Sequence, residues 1–115
     1  MNFNSDFKYD LQIGQIAEKL LYDILTNKKI EVKKDLQYNK TGNIYIEYYS
    51  RGKQSGISTT ESDWYAFVLE DEKIFFIETK KLKTLCRKFI NTKYDIKGGD
   101  NNTSKGICIP INKLL

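Results

Sequence analysis

Three acidic side chains in the first half of the chain have a spacing that could hold a divalent metal ion. Glu18 lies in a segment with helical periodicity, while Asp35 and Glu47 lie in two strand-like segments and are separated by eleven residues. Two neighbouring carboxylates repel each other, so such a pair is separated, shares a proton or holds a cation. Glu18 is compatible both with an inward-facing carboxylate and with an ordinary exposed helix glutamate.

The composition removes many other kinds of chemistry. The chain of 115 residues contains no histidine. This excludes Ser-His-Asp and Cys-His catalysis, His-ligated zinc and nucleases that depend on a histidine at the metal. Carboxylates, lysines, tyrosines and hydroxyl groups remain as candidate catalytic groups.

The charge of the chain is unevenly distributed. The formal net charge is +4, and two basic segments, 28–58 and 80–115, flank the acidic segment 59–79. A segregated positive surface suits a polyanion such as nucleic acid, because binding releases condensed counterions. A generally lysine-rich surface from an AT-biased genome is the alternative explanation of the same composition.

Hydrophobic periodicity predicts three helices. Apolar residues recur at helical spacing in residues 11–27 and 82–90. A shorter helix is predicted at 59–69, where Thr59 and Thr60 could cap a helical triplet formed by Trp64, Phe67 and Val68.

Strands are predicted between these helices. Residues 30–33 alternate at period two, residues 43–49 are rich in β-branched and aromatic side chains, and residues 73–79 form a short apolar run expected at the centre of a sheet. A last strand is expected at 106–111, with Pro110 at its end or at a sheet edge. The order α-β-β-α-β-α-β predicts one α/β domain over residues 1–115, with a sheet flanked by helices.

The first two strands are expected to form a hairpin that brings Asp35 and Glu47 together. A first strand that continues through Asp35 would have Lys33 and Asp35 on the same face. A lysine there could reach any anion held near the two carboxylates.

These residues resemble the PD-(D/E)xK nuclease superfamily, in particular its small phage-type and Holliday-junction-resolving members. The resemblance covers about residues 9–80 and is carried by 31–35, 41–48 and 55–64. It implies a restriction-endonuclease-like αβββαβ core with a central mixed β-sheet, and hydrolysis of DNA phosphodiesters that depends on Mg²⁺ or Mn²⁺. It assigns Glu18 as the helix glutamate, Asp35 as the metal-bridging aspartate and Glu47 as the second acid.

The sequence departs from the motif at its lysine, because Tyr49 stands two residues after Glu47. Lys33 is the first candidate for this missing cation, and Arg51 and Lys53 rank after it. A literal E-x-K occurs at residues 31–33 and ranks second, because only a helix precedes it and no strand is left for the aspartate.

Several expectations concern partners and location. Because no window of about 18 apolar residues and no signal peptide is found, we expect a cytoplasmic protein without a membrane partner, in the host cytoplasm if it is phage-encoded. The expected partner is DNA, including branched or junction DNA, and cutting two strands with one metal site per chain would require a homodimer. The alternatives are a catalytically degenerate nuclease fold that only binds nucleic acid or a partner protein, and a small accessory or inhibitory protein.

Overall fold

The chain forms an α/β structure in a computed structural model that describes residues 3–34, 38–70 and 73–115. Only the backbone is described for 3–11, 38–39, 70 and 100. The helices are α1 (Phe3–Asn27), the single turn α2 (Tyr38–Thr41) and α3 (Thr79–Phe89). The strands are β1 (Ile30–Lys34), β2 (Asn43–Ser50), β3 (Lys53–Gln54), β4 (Trp64–Glu70), β5 (Lys73–Glu78), β6 (Asp95–Gly98) and β7 (Ser104–Pro110).

One sheet has three strands in the order β1-β4-β5, with β1 parallel and β5 antiparallel to β4. The helix predicted at 59–69 is wrong, because β4 occupies most of this segment. Tyr65, Ala66 and Phe67 are consecutive and all buried, as expected for a central strand that is covered on both faces. Pairing with two neighbouring strands therefore outweighs the helical spacing of the apolar residues. The strand at β5 is confirmed, but it lies at the edge of this sheet rather than at its centre.

The second sheet has four antiparallel strands in the order β3-β2-β7-β6. The hairpin expected between the first two strands is wrong, because β1 pairs with β4 whereas β2 pairs with β7. Pro110 ends β7 as expected, while β6 was not anticipated from the sequence. The described part of the chain thus has an α/β fold with one mixed and one antiparallel sheet.

A single hydrophobic core joins both sheets to α3. Its buried members include Ile44 and Ile107 from the four-stranded sheet, Phe67 from the three-stranded sheet, and Leu82 and Cys86 from α3. The helix predicted at 82–90 is thereby confirmed, and its apolar stripe faces the core. Burial raises the pKa of the Cys86 thiol to about 12, so this thiol is unreactive near neutral pH.

Helix α1 behaves differently from α3. Its existence agrees with the sequence, yet most of its apolar stripe is exposed, and Ile24 is the buried exception among its described side chains. The molecule measures 60 × 30 × 27 Å, which reflects the length of this helix. None of the helices in the described part of the chain has the length and apolar character needed to span a membrane.

Candidate functional site: a cleft between the two sheets

A cavity of about 680 Å³ opens between the two sheets. The first sheet contributes Lys33 and Lys34 at the end of β1, together with two aromatic residues of β4. The second sheet contributes Glu47 and its neighbours on β2. The remaining described lining residues are Thr41, Asn43, Tyr45, Ile46, Gly56, Tyr65, Phe67 and Cys108. The cleft therefore places one carboxylate and two lysines in a mainly apolar surround, the usual composition of a small-molecule or active-site pocket.

The Glu47 carboxylate is held by the turn that follows β3. Ser55 Oγ donates a hydrogen bond of 3.0 Å to Glu47 Oε2, and the Ser55 amide donates to the Tyr48 carbonyl at 3.1 Å. Gly56 has φ +52°, and a Cβ at this position would overlap the Glu47 carbonyl. The close approach of this turn to β2 therefore requires glycine, and it fixes the serine beside the carboxylate.

Tyr45 also lines the cleft but is a poor candidate for a general base. Its hydroxyl lies 2.8 Å from Ser104 Oγ. Burial raises the pKa of Tyr45, and the negative charge of Glu47 adds to this rise, although the hydrogen bond to Ser104 opposes it. The phenol is therefore protonated at physiological pH and can act only as a hydrogen-bonding group.

The structure brings together two of the four residues expected at the site. Lys33 and Glu47 come from different sheets and line the same cleft. Glu18 does not join them: it is exposed on α1, in a separate depression with Gln15, Lys19 and Tyr22. The reason is that α1 does not pack over the inter-sheet cleft, since none of its described residues lines it. Asp35 lies outside the described residues.

The weaker candidates for the motif lysine lie elsewhere. Arg51 and Lys53 are exposed at the turn that joins β2 to β3. One cation that the sequence did not suggest does lie beside Tyr49: its cross-strand partner on β7 is Lys105, whose Nζ is 5.4 Å from the tyrosine ring centroid. The signal for this pairing is non-local, because β2 and β7 are far apart in the sequence.

A second group of acidic residues and lysines was not anticipated from the sequence, because a helix was predicted at 59–69. The Thr79 amide donates to the Asp63 carbonyl at 3.0 Å, which sets Asp63 next to the sequence Glu78-Thr79-Lys80. An aspartate followed fifteen residues later by E-x-K is the signal that could have revealed it. These residues line another cavity of about 530 Å³, together with Asp23 and Glu61.

The Asp63 carboxylate already has a structural partner. Its Oδ2 accepts a 2.9 Å hydrogen bond from the Lys29 amide, while the Asp63 amide donates to the Lys29 carbonyl at 2.8 Å. This reciprocal pair fastens the start of β4 to the connection between α1 and β1. A hydrogen bond to one oxygen orients the Asp63 carboxylate, as Ser55 orients that of Glu47, and is compatible with a metal ligand.

The two cavities differ in how completely their acids are described. Within residues 3–34, 38–70 and 73–115 there is no group of three Asp, Glu, His or Cys side chains that could hold a metal ion. All four acids of the second cavity belong to these ranges, so a metal ion there would be held by one or two of these carboxylates together with waters, as is usual for Mg²⁺. In the inter-sheet cleft the described carboxylate is that of Glu47, and the expected second acid, Asp35, lies outside these ranges.

The donor types in the inter-sheet cleft fit Mg²⁺. This ion prefers hard oxygen ligands and is usually held by one or two carboxylates together with waters and substrate phosphates. Glu47 supplies a carboxylate, and Thr41 and Asn43 supply a hydroxyl and an amide at the same cleft.

Comparison of the chain with protein-family models, with curated proteins and with solved structures gave no match.

Proposed function

We propose that this protein is a metal-dependent endonuclease that hydrolyses DNA phosphodiester bonds in the inter-sheet cleft. The observation that carries the proposal is that Lys33 and Glu47, one from each sheet, line a single cleft. Phosphodiester hydrolysis requires an acidic group for the metal and a cation for the phosphate. The cleft contains both types of group, and the resemblance to PD-(D/E)xK nucleases supplies the reaction class.

In this proposal Glu47 holds Mg²⁺ or Mn²⁺ together with Asp35. The metal, when bound, lowers the pKa of a water molecule and neutralises charge that develops on the leaving oxygen. Lys33 and Lys34 bind the phosphate and keep it against the carboxylate side of the cleft. Ser55 restricts the Glu47 carboxylate to one orientation, so that less reorganisation is needed when the substrate binds.

DNA is proposed as the substrate because exposed basic residues also lie outside the cleft, where Lys80 lines the second cavity and Arg87 lines a depression beside α3. Helix α3 carries four exposed cations on its surface: Lys80, Lys81, Arg87 and Lys88. Contacts of such side chains with phosphates would make the affinity fall steeply with added salt. Branched or junction DNA is the preferred form in this proposal, since the resemblance is to small phage-type and junction-resolving nucleases.

We propose further that the fold contains a restriction-endonuclease-like core. The succession of α1, β1, β4, β5 and α3 contains a mixed sheet between two helices, which is the order of elements expected for most of an αβββαβ core. In this interpretation β2 and β3 are inserted between the first and second core strands, so Glu47 reaches its cleft from an insertion, whereas the core strands β4 and β5 bring Asp63 and Glu78 to the second cavity. An experimental structure with β1 paired to β2 instead of β4 would contradict it.

The metal site is tested by soaking crystals of the protein in Mn²⁺ and measuring the anomalous difference density. The proposal predicts a peak within coordination distance of a Glu47 carboxylate oxygen, and loss of this peak in Glu47→Gln. A peak between Asp63 and Glu78 would move the site to the second cavity. A map without any peak at saturating Mn²⁺ would contradict metal-dependent hydrolysis.

A second candidate function is favoured by Tyr49, which stands where the nuclease motif has its lysine. A chain that has lost this cation could still bind nucleic acid through its basic segments without cutting it. The two functions differ in their dependence on metal. Salt-sensitive binding of DNA that is unchanged by Mg²⁺, with no cleavage of DNA or RNA in Mg²⁺ or Mn²⁺, would favour the binding function.

A further inference from the structure

A row of polar, basic and aromatic side chains crosses the four-stranded sheet. The strand register sets Tyr49 of β2 opposite both Gln54 of β3 and Lys105 of β7, and Lys105 is in turn opposite Lys97 of β6. Residues that are directly opposite each other in an antiparallel sheet lie on the same face. These four residues, which we call the Tyr49 row, therefore form one line over four strands that is on the order of 14 Å long.

The Tyr49 row is basic and open to solvent. All of its members are exposed or partly exposed. Lys97 and Lys105 are directly opposite each other, and such a pair of like charges destabilises a sheet unless an anion lies close to it. The acid of the same strand β6 is Asp95, whose two carboxylate oxygens already accept hydrogen bonds from the Tyr48 hydroxyl and the Asn91 amide. The row thus suits an anion from outside the chain.

Tyr49 adds an aromatic ring beside these cations. Lys105 Nζ is 5.4 Å from the centroid of the ring, so a cation and a ring occupy the same place on the surface. This combination is typical of proteins that bind single-stranded nucleic acids, because bases stack on the ring while the cations contact phosphates. In a duplex the bases are stacked on one another, and their faces are closed to a protein side chain. The row therefore favours a single strand over a duplex.

The depression beside α3 extends the basic surface. Its lining includes Lys83 and Arg87 of α3 together with Gln54, which is also a member of the Tyr49 row. None of the described residues that line this depression is acidic. A strand that crosses the row at Gln54 therefore meets two further cations and no opposing carboxylate of the depression.

We propose that the Tyr49 row and the depression beside α3 together bind single-stranded DNA, with a base stacked on Tyr49 and phosphates at Lys105 and Arg87. This inference rests on the proposed function, because it takes DNA as the polyanion. It gives Tyr49 a binding role at the position where the nuclease motif has its lysine. No member of the row lines the inter-sheet cleft, so binding here is separable from cleavage there.

The test is binding of fluorescent strands measured by anisotropy in EDTA, where metal-dependent cleavage does not occur. The probes are an oligothymidylate of about 12 nucleotides, within the usual range of single-strand sites, an abasic strand of the same length and charge, and a duplex of the same length. Wild type is expected to bind the oligothymidylate at least about 10-fold more tightly than the abasic strand, since stacking on one aromatic ring has an effect of this size. The duplex should bind more weakly than the oligothymidylate.

The role of the ring is tested by replacing Tyr49. Tyr49→Leu should abolish the preference for oligothymidylate over the abasic strand, whereas Tyr49→Phe should keep it. The matched control is Tyr22→Leu, which removes a tyrosine of α1 that is 69% exposed and should bind as wild type does. Equal effects of Tyr49→Leu and Tyr22→Leu would overturn the proposal.

The role of the cation is tested by Lys105→Ala, which also serves if Trp64 fluorescence shows that Tyr49→Leu does not fold. The slope of log affinity against log salt concentration should become shallower by about 0.7, the contribution of one phosphate contact with a single strand. The matched control is Lys93→Ala, because Lys93 Nζ is likewise 5.2 Å from a ring centroid, that of Tyr94, but lies outside the row. An unchanged slope in Lys105→Ala, or an equal change in Lys93→Ala, would contradict the proposal.

Failure of this surface and failure of the nuclease function give different results. Binding that depends on Tyr49, by a protein that cuts no DNA in Mg²⁺ or Mn²⁺, would support the surface and reject the nuclease function. Cleavage by a protein that binds the oligothymidylate and the abasic strand equally would overturn the surface alone. Polyglutamate that displaces the oligothymidylate as well as an unlabelled strand of equal charge does would also overturn it, and would indicate an acidic protein as the partner.

Discussion

Ser55 donates a 3.0 Å hydrogen bond to the Glu47 carboxylate across the junction between a tight turn and the strand β2. This contact holds the carboxylate that is proposed to bind the metal against the turn after β3, and Gly56 of this turn lines the inter-sheet cleft. It makes Ser55 a positioning residue, and its effect should be visible in how the reaction depends on metal.

Replacement of Ser55 by alanine should weaken the use of metal more than it weakens the fold. The concentration of Mg²⁺ that gives half-maximal cleavage is expected to rise by about 10- to 100-fold in Ser55→Ala, as for loss of other groups that orient metal ligands. Ser55→Thr retains the hydroxyl and should restore most of the wild-type value. The matched control is Ser58→Ala, which also removes a side-chain hydrogen bond from this turn, to the Tyr48 carbonyl, without touching Glu47. Equal metal dependence in Ser55→Ala and Ser58→Ala would show that Ser55 has only a structural role.

The cation that binds the phosphate is expected to be Lys33. Lys33→Ala should lower Mg²⁺-dependent cleavage by orders of magnitude, with little change in the free energy of unfolding, because this exposed strand lysine buries little apolar area. Lys53→Ala should have a smaller effect. Single-turnover cleavage rates check both variants. Unchanged cleavage in Lys33→Ala would reject this role, and a loss of cleavage in Lys105→Ala would then assign the cation to β7.

Gly56 should be more sensitive to substitution than another glycine with a similar backbone conformation. Both Gly52 and Gly56 have positive φ, but a Cβ at Gly52 meets no atom within 4 Å, whereas one at Gly56 would overlap the Glu47 carbonyl. Gly52→Ala should therefore cost about 1 kcal/mol of stability from the backbone alone, while Gly56→Ala should cost about 2 kcal/mol or more because β2 or the turn must also move. Urea unfolding of the two variants measures the difference. Equal losses would mean that the turn does not approach β2 as closely as described.

Alkaline pH should weaken the contact between Tyr48 and Asp95. The Tyr48 hydroxyl donates to Asp95 Oδ1 at 2.7 Å. Burial, followed by the hydrogen bond to the carboxylate and its charge, raises the pKa of Tyr48 to about 12 from the ordinary 10.0. The folded-state pKa is thus the higher one, so this stabilisation is complete below pH 10 and is lost as the pH rises toward 12. Urea unfolding between pH 9 and 12 should show a smaller decline in Tyr48→Phe than in wild type, and parallel declines would contradict this assignment.

The elements that could be predicted from the sequence are those with a strong local signal. The helices α1 and α3 have long apolar stripes, and β1, β2 and β5 have β-branched or alternating residues. The prediction for the segment of β4 was wrong because Trp64, Phe67 and Val68 have helical spacing. The conformation of this segment is decided instead by the pairing of β4 with two neighbouring strands. Secondary structure here depends on contacts that local periodicity does not contain.

The candidate site was predicted only in part for a related reason. Lys33 and Glu47 share the cleft, as expected, but they meet because two sheets pack together and not because their strands form a hairpin. Strand pairing with distant segments also brings Lys105 next to Tyr49. Glu18 was expected near Lys33 and Glu47, but it lies on an exposed part of α1, because local periodicity predicts a helix without fixing where the helix packs.

The central claim is that Glu47 in the inter-sheet cleft supports metal-dependent cleavage, and the most direct measurement is a cleavage assay on branched and linear DNA. Wild type, Glu47→Gln and the matched control Glu78→Gln are compared with Mg²⁺, with Mn²⁺ and with EDTA. The account predicts cleavage by wild type and Glu78→Gln only when metal is present, and none by Glu47→Gln, which remains folded. Cleavage that survives in Glu47→Gln but is lost in Glu78→Gln would place the active site in the second cavity, and a wild type that cuts neither DNA would contradict the nuclease function.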